Sequence, residues 1–190
     1  LNECMKGYGG FDHNIQTSRI VTLLENKYYK FPGLNLTVET LDGLIKHNGP
    51  INKKFKYKCM LEKHLNNKKI NFSLYPSLEA QVSAIADDIA YNNHDLEDGL
   101  RSQLFLINNI SKIPLLKELV KKHAHNSKLY RREIIVNQII RELINLMVID
   151  VIKTTSRNIS KIKPKKINDI YNAGMLIVDF SSKMKEIDYQ

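Results

Sequence analysis

Residues 85 to 100, IADDIAYNNHDLEDGL, place four aspartates, a glutamate and a histidine around a single tyrosine. Carboxylates and an imidazole are the side chains that ligate divalent cations or pair with basic groups. At about 100° per residue, Asp87 lies about 200° around a helix from Ile85. Asp87, Tyr91 and Asp95 fall at i, i+4 and i+8, so they form a stripe of their own. A separate apolar stripe runs through Leu78, Val82, Ile85, Ile89 and Leu96. Ala84 lies on the side of Asp87, where a small neighbour lets another element or a metal come close. If that side is buried, an ionised Asp87 needs a divalent cation or an Arg/Lys partner, or it takes up a proton. A solvated acidic face and a surface salt bridge are the other readings. A calcium loop is excluded by spacing. Counting from Asp87, the sixth position is Asn92 rather than Gly and the twelfth is Asp98 rather than Glu. His94 does not stack on Asp87, so this helix alone builds no zinc site.

The elements that must position these residues read as helices throughout. Gly10 breaks the chain and Asp12 is an N-cap candidate for a helix carrying Ile20, Leu23, Leu24 and Tyr28. That helix is predicted to stop by FPG at 31 to 33. Thr37 is the next N-cap, for VETLDGLIKH, with Leu41, Leu44 and Ile45 as its apolar face. Residues 51 to 72 are basic and weakly periodic, predicting a mobile connector with one short helix. Phe55 and Tyr57 interleave with lysines there, a pattern that can touch nucleic acid as well as water. Pro76 is predicted to start the long helix. Further helices are expected at 99 to 108, 112 to 124 and 130 to 158. SKIKPKK, 160 to 166, reads as a basic linker. The segment AGMLIVDFSSKMKEI fits neither period. No alternating run is long enough to build a sheet and no solenoid repeat occurs, so the fold class is all-α.

Bulk properties bound the partners. The 190 residues suffice for one domain with a sizeable core, at 43% hydrophobic and 26% charged. Net charge is +9 and the pI is about 9.4. That balance favours a phosphate-bearing ligand, nucleic acid or an anionic surface. Abundant Lys, Asn and Ile also fit the codon bias of an AT-rich genome. Two distant cysteines, Cys4 and Cys59, give no disulfide framework and suit a reducing cytoplasm. The most apolar run, IIVNQIIRELINLMVIDVI, contains Arg141, Glu142 and Asp150. It reads as a core helix rather than a membrane span, with surface to spare for a homo-oligomer interface.

PSLEAQVSAIADDIAYNNHDLEDGL resembles a signature of the HD-domain phosphohydrolases, in their deoxynucleoside triphosphate triphosphohydrolase branch. GGFDHNIQTSRIVTLLE, LNLTVETLDGLIKHNGP and RELINLMVIDVIKTTSRNI are similar to the flanking blocks, in the same order. The resemblance implies an all-helical, HD-domain-like bundle over residues 1 to 190, truncated at both ends. It implies metal-dependent hydrolysis of a dNTP, dGTP among them, to a deoxynucleoside and inorganic triphosphate. Asp87 then corresponds to the family's distant aspartate ligand for Mn²⁺ or Mg²⁺. Tyr91 and Asp95 correspond to nucleotide contacts, and His13 to a catalytic-site histidine near the phosphates. Asn14 and Lys46 correspond to polar positions of the substrate pocket. Physical chemistry is compatible with these roles. Backbone N–H groups at a helix start favour an anion, and a lysine supplies a point charge to a triphosphate.

The resemblance also exposes a departure. The family's first His, its His-Asp pair and a further His/Glu motif have no counterpart in this sequence. The only His-Asp dipeptide, His94-Asp95, lies inside the downstream signature. The chain alone is therefore expected to lack a complete metal site and to be inactive without a missing N-terminal half. The alternative is a non-catalytic helical remnant whose basic surface binds nucleotides or nucleic acid. Bland roles stay open too, with His13 as a helix cap, Lys46 solvated and Tyr91 in core packing. No membrane partner and a cytoplasmic location are expected.

Overall fold

The computed structural model describes residues 1–188 except Gly9, 52–64, 66–68 and 125–128. No strand occurs among the described residues, and the chain is all-α. Packing divides it into two compact units, residues 1–84 with 164–177, and residues 85–163 with 178–190.

The first unit begins with a 3₁₀ turn, Lys6–Tyr8, followed by α1, His13–Arg19. Asp12 caps α1 as its sequence position predicts, its Oδ1 accepting from the Ile15 N–H at 3.1 Å. The chain continues as a π-helical turn, Ile20–Leu24, which ends where Glu25 becomes extended. Gly33 then passes against this turn with φ +66°, and a Cβ there would lie 2.4 Å from the Thr22 carbonyl carbon. Only glycine combines that conformation with that approach. Helix α2, Val38–Ile45, is capped by Thr37, whose Oγ1 accepts from the Thr40 N–H at 3.3 Å. Ile15 of α1 and Leu41 and Ile45 of α2 meet Leu65 and Phe72 in a small core. Most of the connector expected at 51 to 72 lies outside the described residues. Its ends meet through the Ile51 N–H, which donates to the Phe72 carbonyl at 2.8 Å.

Helix α3, Leu78–Arg101, starts in this unit and runs into the second. Ser77, not Pro76, caps it, accepting from the Ala80 N–H at 3.3 Å. Gln81 is 3% exposed and ties the unit together. Its Nε2 donates to the Pro76 carbonyl at 2.9 Å, and its Oε1 accepts from the Ile177 N–H at 2.8 Å. Short helix α7, Ile167–Tyr171, is capped by Asp169, which accepts from the Lys165 and Lys166 N–H groups.

In the second unit, α3 is followed by α4, Ile107–Ile110, α5, Pro114–Ala124, and α6, Arg132–Ile162. Helix α6 has 31 residues and is about 46 Å long at 1.5 Å per residue. Its buried side carries Ile135, Val136, Ile139, Ile140, Leu143 and Met147. Helix α8, Ser182–Asp188, closes the unit. Asp150 anchors the extended segment before it, accepting from both the N–H and the hydroxyl of Ser181 at 2.7 Å.

Three expectations about elements need correction. The helix expected at 99 to 108 is absent. Helix α3 ends at Arg101, Gln103 turns with φ +61°, and only 107–110 is helical. The cause is Gly99, against which the Phe105 ring packs so closely that a Cβ would lie 2.3 Å from it. The linker expected at 160 to 166 starts late, because α6 holds its ladder to Ile162 and is stopped by Lys163 at φ +49° before Pro164. Finally, Val82 is 51% exposed, whereas the buried side of α3 includes Asn93 at 2%.

Candidate functional site

The row Asp87, Tyr91, Asp95 stands on one side of α3 within the second unit, and all three side chains are exposed. One helical step of four residues is about 6 Å, so the row spans about 12 Å. The opposite side fixes its direction. Ile89 is buried, and the Asn93 Nδ2 donates to the Ile89 carbonyl at 2.7 Å and lies 3.2 Å from the Met147 Sδ on α6. Arg101 secures the end of the helix, donating to Glu97 at 2.7 Å and to the Asn137 Oδ1 on α6 at 3.0 Å. The helix thus presents two carboxylates and a phenol on a rigid edge. None of the three supports the packing beneath.

The other candidates belong to the first unit. His13 is exposed at the first position of α1, and Asn14 is half-buried beside it. The Asn14 carbonyl accepts from the Ser18 hydroxyl at 2.9 Å. The anion expected at this helix start would meet the Asp12 carboxylate, which already takes the Ile15 N–H. Lys46 stands at the end of α2 and is 3% exposed. Its ammonium pairs with the Asp42 Oδ1 at 2.6 Å. Burial raises the Asp42 carboxyl above its usual range, while the hydrogen bond and charge of Lys46 oppose that rise. A buried lysine so engaged neutralises Asp42, and its charge reaches a phosphate only by giving up that partner.

A cavity of about 520 Å³ opens nearby, lined by Glu39, Thr40, Gly43, His47, Glu79 and Tyr171 among others. Burial, then Asp42, Glu39 and Glu79, raise the Tyr171 hydroxyl above its usual value. The local field is therefore negative, despite the net charge of the chain, and it disfavours an anionic ligand. Sequence reasoning missed Asp42 as the partner of Lys46, although an Asp four residues before a Lys on a helix is a legible pair. It also missed Asn93, whose burial depends on α6.

Among the described residues, no three His, Cys, Asp or Glu side chains come together as a metal site. Asp87 alone is an incomplete donor set, so the residues present do not fit a resident cation by themselves. No helix among the described residues is long and apolar enough to cross a membrane.

No family model matches the chain. Similarity to curated proteins extends over nearly all of it. It is 51% identical over 188 residues to a deoxyguanosinetriphosphate triphosphohydrolase-like protein of Pelagibacter ubique, covering 99% of this chain and 51% of that protein. Proteins of the same name from Bartonella tribocorum and Parvibaculum lavamentivorans are 43% and 38% identical, covering 97% and 98% of this chain. The chain spans about half the length of these relatives, 47% and 48% for the latter two.

Proposed function

Since the chain belongs to the deoxyguanosinetriphosphate triphosphohydrolase-like family, we propose that it takes part in metal-dependent hydrolysis of a dNTP to a deoxynucleoside and inorganic triphosphate. The observation that carries this reading is the identity of 38% to 51% to relatives of that name over nearly the whole chain. The structure supports it through the Asp87, Tyr91, Asp95 row, polar side chains held on a rigid edge that the core does not need. In this reading Asp87 gives one carboxylate oxygen to Mn²⁺ or Mg²⁺. Tyr91 and Asp95 contact the nucleotide, with His13, Asn14 and Lys46 in supporting positions. The other donors come from polypeptide outside these 190 residues, because one carboxylate does not hold the cation tightly.

The test is triphosphate release from dGTP and the other dNTPs with Mn²⁺. The 190-residue chain is assayed alone, and then with the complementary half of the Pelagibacter relative. The expected result is no release by the chain alone, release after complementation, and loss of that release in Asp87→Ala. Activity that persists in Asp87→Ala sinks the ligand assignment. The net charge of +9 favours one second reading, nucleotide or nucleic-acid binding without catalysis. Metal-independent DNA binding that weakens steeply with salt, without hydrolysis after complementation, would establish it instead.

A further inference from the structure

The second unit contains a cavity of about 530 Å³ that plays no part in the hydrolase reading. Its volume is that of a small-molecule site. The wall is mostly apolar, with Phe105, Ile110, Leu116, Met147 and Met184 supplied by four segments around the flank of α3. Polar groups enter from that helix, where Asn92, Asn93 and Asp95 line one side.

Asn93 is the informative member. It is 2% exposed, and its Oδ1 has no hydrogen-bond partner among the described residues. The amide cannot be turned over to hide that oxygen. Its Nδ2 donates to the Ile89 carbonyl at 2.7 Å, and a flip would set two oxygens face to face. A buried acceptor left without a donor is a cost that a fold does not normally carry. Here it stands in the wall of a cavity large enough to bring one. The remaining wall indicates the body of the ligand. A phenyl ring and two thioethers suit the faces and edges of an aromatic ring.

We propose that this cavity binds an uncharged heteroaromatic ring whose N–H donates to the Asn93 Oδ1. Such a ring can come from a free molecule or from the base of a nucleotide. Asp95 touches both this cavity and the exposed row, so both sources are within the chemistry of the site.

The probe is indole, with indene as its isosteric hydrocarbon lacking the donor. Methyl resonances of the methionines in the 190-residue chain report binding. The expected result is that Met147 and Met184 shift with indole while Met5 and Met175 stay in place. The bound indole N–H proton should move downfield. The preference for indole over indene should fall about fivefold in Asn93→Leu, the worth of one neutral hydrogen bond. Displacement of indole by dGTP would identify the base of a nucleotide as the source. Undiminished indole binding would identify a free ring, and both results uphold the cavity. The proposal is overturned if Met147 and Met184 do not respond to millimolar indole, which would mean that water alone fills the space. It is overturned equally if they respond without any downfield shift of the N–H, a readout that needs only the unaltered chain.

Discussion

Helix α2 and helix α3 each carry polar side chains four residues apart, and packing treats them in opposite ways. On α2, Asp42 and Lys46 are drawn into the first unit, with Lys46 3% exposed and a 2.6 Å ion pair between them. On α3, Asp87, Tyr91 and Asp95 stand outside the core of the second unit, Tyr91 with 67% exposure. The difference separates two reasons for a charged residue to sit at helical spacing. A buried pair is part of the fold, because each charge is tolerated only through the other. An exposed row contributes little to folding, so its chemistry is available to a ligand.

The contrast is broken most directly at Lys46. Lys46→Met leaves Asp42 partly buried without its cation and should destabilise the chain by about 3 kcal/mol, read as a lower urea midpoint. Asp42→Asn in the same chain should restore much of the loss, because the uncompensated carboxylate is gone. A change smaller than about 0.5 kcal/mol in the single variant, the range of ordinary surface substitutions, would place Lys46 with the exposed row instead.

Acid sharpens the comparison, since two carboxylates respond with opposite sign. Glu142 on α6 is held below its usual value chiefly by the hydrogen bond from Lys122, which lies 2.9 Å away, with His123 adding to it. Its contribution is present above the unfolded value of 4.5 and is lost as pH falls through the depressed one. Asp42 is raised, so between its folded value and the unfolded 3.8 a falling pH favours the folded state. Denaturation midpoints followed from about pH 6 to about pH 3 should therefore decline less steeply in Glu142→Gln than in the parent. In Asp42→Asn they should decline more steeply. Equal slopes in all three chains would mean that neither environment differs from water.

The sequence made the local features legible and left the tertiary ones hidden. Asp12 and Thr37 could be read as caps because a cap uses a backbone N–H three residues away. The i, i+4, i+8 row could be read because helical periodicity alone aligns it. The end of α3 could not, since it depends on the Phe105 ring meeting Gly99 rather than on any propensity at 102 to 106. Nor could the burial of Lys46, which follows from the core that Leu41 and Ile45 build with Leu65 and Phe72 across the chain. Asn93 reads as one more polar residue in an asparagine pair until Met147 of α6 covers it. The candidate site was thus legible as a pattern on one helix. The set of groups facing that pattern was not, because they depend on packing and on donors beyond this sequence.

The smallest expected stability effect carries the sharpest functional contrast. Asp87→Ala and Asp98→Ala both remove an exposed aspartate from α3, and alanine is the better helix former at each position. Each variant should unfold within about 0.5 kcal/mol of the parent, so thermal and urea midpoints alone should not tell them apart. In the complemented enzyme they should separate completely. Asp87→Ala should lose Mn²⁺-dependent triphosphate release, while Asp98→Ala should keep it. Asp98 lies about 20° from Asp87 in helical projection but three turns further along, so the pair tests position along the helix rather than acidity of its face. Equal loss in both variants would mean that α3 supplies a diffuse negative surface, and that the row is a solvated edge rather than a site.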